Sequence, residues 1–165
     1  MEMAKACLKD GSRFGVCLIV QGREVGEPAI PAGVGTLARI ASWDMPQLGV
    51  LQVVALGESR FRILERRVQG DGLTRASVEV LSEDIDSEIP QNCSPCVRLL
   101  GRLIEQHGAL FEPPHRLDSC SWVSSRLGEV LPLALDAKQQ LLELGDARER
   151  LERVNALLPS ARARP

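Results

Sequence analysis

Tyrosine is absent from this 165-residue chain, and aromatic residues make up 3% of it. That excludes the rows of stacking rings that hold single-stranded nucleic acid. Lysine is scarce too: Lys5, Lys9 and Lys138 are the whole set. No sign of charge dominates. The formal net charge is −2, and acidic and basic residues divide evenly between the halves, so no field gathers phosphate backbones and no polyelectrolyte arm is present. No apolar run is long enough to span a bilayer, which argues against a membrane partner. The start, "MEMAKACLKDG", has neither the apolar stretch nor the cleavage site of a secretory signal. No G-x-x-x-x-G-K-[ST] loop for nucleotide phosphates occurs anywhere. Five cysteines, an odd number at irregular spacing, suit a reducing compartment. The expectation is a cytoplasmic protein with no cofactor.

What is present is enough apolar material for a core: 44% hydrophobic against 25% charged residues. The N-terminal half reads as β. A short helix, Met3–Lys9, stops at Gly11. "FGVCLIV" (Phe14–Val20) reads as a strand buried on both faces. "QGREVGEPAIPAG" is crowded with Gly and Pro and reads as a mobile loop. Further strands are expected at Val34–Asp44, Gly49–Gly57 and Ser59–Val68, the last with Phe61 and Ile63 on one face. A final strand alternates Ala76, Val78 and Val80 against Arg75, Ser77 and Glu79, which marks a half-exposed antiparallel strand. "DMPQLG" and "QGDG" are short enough to close hairpins.

The texture changes near Pro90. Ser94 as N-cap and Pro95 at the first helical position open a helix that Gly108 ends. A short helix follows near Trp122–Leu127. Two more flank Gly145, with Asp136 and Asp146 as N-caps, each followed three residues later by Gln139 or Glu149. In the last helix Leu151, Val154 and Leu158 form an apolar stripe. Arg148, Glu149, Arg150, Glu152 and Arg153 form the solvated side, with Glu149 and Arg153 at i, i+4. The tail "PSARARP" reads as frayed. The division is a β-rich part over 1–88 and a helical part over 89–165.

Three segments in this order, "FGVCLIV", "VGTLARI" leading into "VLQVVALGESRFRILE", and "WVSSRLGEVLPLALDAKQQLLELGDARERLERVNALL", resemble the N-terminal substrate-binding domain of Lon-type proteases. The resemblance implies an α+β fold, a PUA-like twisted antiparallel β-barrel followed by a C-terminal helical bundle. It implies a non-catalytic module, of bacterial type, that holds unfolded or partner polypeptide and is capable of homo-oligomerisation. It also implies a stand-alone member, since neither an ATPase nor a peptidase signature is present. The family's usual opening strand is missing, so the native protein is expected to be longer and the barrel edge open.

The residues then sort themselves. Ile30 and Pro31, in an apolar loop, and Trp43, at the end of a strand, are the candidate polypeptide contacts. "CSPC" supplies a competing reading, a thiol redox pair of Cys93 and Cys96 activated by a helix N-terminus. It lacks the preceding buried parallel strand of such sites. A zinc site drawn from Cys93, Cys96, Cys120, His107 and His115 lacks a second close-spaced ligand pair. Arg60, Arg62, Arg66 and Arg67 would suit RNA on a PUA-like fold, but Glu58 and Glu65 dilute them and nucleic acid is disfavoured. Neither histidine is placed with a Ser or Cys for nucleophilic catalysis, so no catalytic residue is expected.

Overall fold

The computed structural model describes residues 2–23 and 29–158. The core of the expected mobile loop, residues 24–28, and the expected frayed tail, 159–165, lie outside the described residues. The chain forms two compact units that divide between Glu83 and Asp84.

The N-terminal unit is mostly β. Helix α1 (Glu2–Asp10) ends where Gly11 takes a left-handed φ of 68° and its amide bonds to the Cys7 carbonyl at 2.9 Å, the glycine C-terminal stop that the sequence signals. Strands β1 (Phe14–Val16), β4 (Val34–Gln47), β5 (Val50–Val68) and β6 (Thr74–Val80) form an antiparallel sheet in the order β1-β4-β5-β6. A separate two-stranded sheet pairs β2 (Ile19–Gln21) with β3 (Ile30–Pro31). The single strand expected over Phe14–Val20 is therefore broken at Cys17–Leu18, and its halves join different sheets. It is not buried on both faces: Val16, Ile19 and Val20 are exposed, because each half is an edge strand.

The two strands expected over Gly49–Gly57 and Ser59–Val68 are one, β5. Gly57 does not reverse the chain. Thr36 pairs with Arg60 and Ala38 with Gly57, so β5 carries one extra residue there and absorbs it as a bulge. The turns fall where glycine permits them: Gly49 (φ 87°) between β4 and β5, Gly72 (φ 84°) between β5 and β6.

This unit has a thin core of Cys7, Ala32, Val34, Ala38 and Phe61. Phe61, 2% exposed, is its anchor. Its ring lies against two glycines. A Cβ on Gly15 would meet Phe61 Cζ at 2.8 Å; one on Gly35 would meet Phe61 Cζ at 2.8 Å and Cys17 Sγ at 2.5 Å. Both positions need hydrogen as a side chain so that the ring can settle on the sheet.

The helical unit holds α2 (Ser94–His107), α3 (Cys120–Val130), α4 (Leu135–Glu143) and α5 (Ala147–Leu157), with single 3₁₀ turns at Gln91–Cys93 and Gly108–Leu110. Leu100, Leu127, Leu151, Val123 and Val154 are fully buried in one cluster, joined by Cys93, Cys96 and Cys120. Each large aliphatic side chain so buried contributes about 1.5–3 kcal/mol. Asp146 caps α5 as expected, its carboxylate accepting the Glu149 amide at 2.8 Å. Two other caps differ. The 3₁₀ turn displaces Ser94 from the cap into the helix, where its hydroxyl accepts from Arg98 instead. Asp136 sits within the first turn of α4, after Ala134 as N-cap, and there its charge still complements the helix dipole.

Arg150 departs most from its sequence reading. It is 3% exposed, not part of the solvated side. Its guanidinium pairs with Asp84 and donates to Ser124 Oγ at 3.1 Å and the Leu144 carbonyl at 3.3 Å. The i, i+4 pair on α5 is Arg148 with Glu152, at 3.2 Å.

Candidate functional site

From Arg39 to Gly57 the β4–β5 hairpin contains no buried residue. β1 flanks β4 at Thr36, Leu37 and Ala38. Beyond Ala38 the outer edge of β4 has no strand partner among the described residues. The hairpin nevertheless carries Trp43, Met45, Leu48, Val50, Val53 and Val54, with Trp43 56% and Leu48 100% exposed. A strand edge combined with exposed large apolar side chains makes a surface suited to contact with another chain.

Pleating gives this arm a concave feature. Trp43 pairs with Val53 across the hairpin, and Met45 lies two residues on, hence on the same face. Helix α1 presents Lys5, Leu8 and Lys9, residues one turn apart on one side of the helix. Together with Leu51 these residues line an open cleft of about 410 Å³ with predominantly apolar walls. A second depression on the hairpin is lined by Ser42, Trp43, Asp44, Gln52, Val53 and Val54.

Of the residues singled out in sequence, Trp43 stands at the cleft. Ile30 and Pro31 form β3, paired to β2, and do not line it. Ile30 is exposed and Pro31 half-buried, and Ala32 turns inward, its amide bonded to the Leu18 carbonyl at 2.8 Å. The apolar segment thus folds back on its own sheet. Sequence reasoning missed Lys5, Leu8, Lys9, Met45 and Leu51. The apolar i, i+2 pair Trp43 and Met45, so near a turn, was the available signal.

The competing chemistries find no support in the geometry. Cys93 and Cys96 sit at the start of α2 but are fully buried. Burial pushes the Cys96 thiol up to about 12, and burial with the nearby Glu152 carboxylate raises Cys93. A redox thiol needs the opposite shift. Cys120 is raised by burial as well, and its thiol donates to the Ala147 carbonyl at 3.4 Å. Among the described residues no three His, Cys, Asp or Glu side chains converge to hold a metal. His115 Nε2 lies 3.1 Å from the Phe111 carbonyl and its ring tilts against Trp122. In the arginine set, Arg62 pairs with Glu79 at 3.4 Å and Arg66 donates to the Ala29 carbonyl at 3.4 Å, so part of that charge is already compensated. No helix among the described residues is long and apolar enough to cross a membrane.

Comparison with known proteins places the chain in a family. The family model of the ATP-dependent protease La (Lon) substrate-binding domain matches residues 1–160. The Lon N-terminal domain protein from Xanthomonas campestris is 33% identical, with a TM-score of 0.78 covering 96% of this chain and 83% of that one. The N-terminal domain of the Mycobacterium avium complex Lon protease shares the fold, with a TM-score of 0.63 at 20% identity over 93% of this chain and 79% of that one. The Lon protease of Neorickettsia sennetsu is 28% identical over 94% of this chain, which spans 20% of that protein's length. The chain belongs to the Lon substrate-binding domain family, and its fold is the mixed α+β fold of Lon N-terminal domains.

Proposed function

We propose that this member of the Lon substrate-binding family recognises polypeptide without performing chemistry on it, using the unburied arm of its β unit. A client's main chain would add along the outer edge of β4 beyond Ala38, supplying the missing strand partner, while its apolar side chains enter the cleft at Trp43. Main-chain pairing accepts many sequences, which suits a protein that handles unfolded chains. Ile30 and Pro31 would act as secondary contacts, and the same arm would support self-association when no client is present. The two sheets are read as parts of a PUA-like barrel, and the setting as the bacterial cytoplasm.

The observation that carries this reading is the run from Arg39 to Gly57: nothing in it is buried, yet it holds Trp43, Met45, Leu48, Val50, Val53 and Val54. A monomer with no partner would place charge there. The test is fluorescence anisotropy with a labelled, permanently unfolded protein such as reduced, carboxymethylated lactalbumin. Saturable binding, weakened at least fivefold by Trp43→Ser, is expected. No binding by the folded chain at high micromolar concentration contradicts the proposal.

A further inference from the structure

The cleft at Trp43 is not electrically neutral. Its lining holds Lys5 and Lys9 and no carboxylate. These are two of the chain's rare lysines, the third being Lys138, which donates to the Glu129 carbonyl in the helical unit. Neither Lys5 nor Lys9 has a carboxylate partner among the described residues. Two acids of the unit face other donors: the Asp10 carboxylate accepts the Ser12 amide at 2.9 Å, and Asp44 accepts the Met45 amide at 2.7 Å. Elsewhere in the unit, exposed cations do find acids, as Arg13 and Arg39 both do at Glu58. An apolar cleft lined by two ammonium groups and no carboxylate selects for its opposite.

We infer that the preferred occupant is an apolar polypeptide segment flanked by glutamate or aspartate side chains. This rests on the polypeptide-recognition reading and assigns the client's charge. Leu8, Trp43, Met45 and Leu51 would take the client's apolar residues. Lys5 and Lys9 lie one helical turn apart, so carboxylates a few residues from the apolar core of the client can reach both while the lysine stems lie along the apolar wall. Lys9 also complements the C-terminal end of the α1 dipole, a purely structural role. That role would affect stability and leave the choice of ligand untouched.

The experiment uses the full chain and three fluorescein-labelled octapeptides with one Leu-Phe-Val-Leu core, flanked on both sides by glutamate pairs, glutamine pairs or lysine pairs. At low ionic strength the glutamate peptide should bind about threefold to tenfold more tightly than the lysine peptide, with the glutamine peptide between them. The preference should shrink as salt rises past a few hundred millimolar. The double variant K5E/K9E should invert the order. K5Q/K9Q should abolish it, which covers the case in which the charge reversal disturbs α1. Equal binding of all three peptides overturns the inference and leaves the polypeptide reading standing. So does a preference that survives both variants. Binding of none overturns both.

Discussion

The helical unit sinks Leu100, Leu127 and Leu151 entirely out of reach of water, while the β unit buries nothing between Arg39 and Gly57. The two units are of similar length and come from one chain of ordinary composition, so the contrast is one of arrangement. In the helical unit α2, α3, α4 and α5 each contribute buried side chains to one cluster. In the β unit a hairpin longer than its flanking strands forms an apolar arm with no buried residue between Arg39 and Gly57. The difference teaches where each unit invests its hydrophobic residues. The helices use them for stability. The arm holds them at the surface, where they are available to a partner.

Breaking the helical side of that contrast should have the largest effect. Arg150→Ala leaves the Asp84 carboxylate buried without its guanidinium. A loss of about 3–5 kcal/mol of stability is expected, read as a shift in the urea midpoint of the far-UV circular dichroism signal. The next test sets leucine against leucine. Leu127→Ala should cost about 2–5 kcal/mol, since it opens a cavity in a packed cluster. Leu48→Ala should change stability by less than about 0.5 kcal/mol, because that side chain is wholly exposed. Equal effects at the two positions would erase the distinction between the units.

The smallest effect is a pH dependence to which Cys96 of the helical unit contributes. Burial raises the folded Cys96 thiol to about 12 from an ordinary 9.0. The unfolded chain releases that proton first as pH rises. The contribution is therefore complete below pH 9 and is lost progressively towards pH 12, at about 1 kcal/mol per pH unit. Urea midpoints measured between pH 8 and 10.5 should fall, and Cys96→Ala should flatten the fall. An unchanged slope in that variant would show that the thiol is not held protonated by its surroundings.

Helices were legible in the sequence because their punctuation is local. Asp146 before Glu149, Gly11 after Lys9 and the stripe of Leu151 and Val154 each signal within a turn or two. The β unit was harder to read. Whether Gly57 turns the chain or forms a bulge depends on its partners in β4, many residues away. Whether Phe14–Val20 is central or edge depends on which strands flank it. Arg150 was misread for the same reason: its partner, Asp84, is remote in sequence, and only the fold brings the two together. At the candidate site the aromatic Trp43 was visible as a singular residue. Its companions on α1 were not, because a helix and a hairpin separated by three short strands carry no periodic signature of their contact.

The most direct test of the central claim is to map where a client touches the chain. Amide chemical shifts of uniformly ¹⁵N-labelled protein should be followed while the glutamate-flanked apolar octapeptide is titrated in. Perturbations should concentrate on Lys5–Lys9 and on residues 39–57, with the largest at Trp43, Met45 and Leu51, and α2 to α5 should stay still. Perturbations centred on the helical unit, or none along the β4 edge at saturation, would contradict the account.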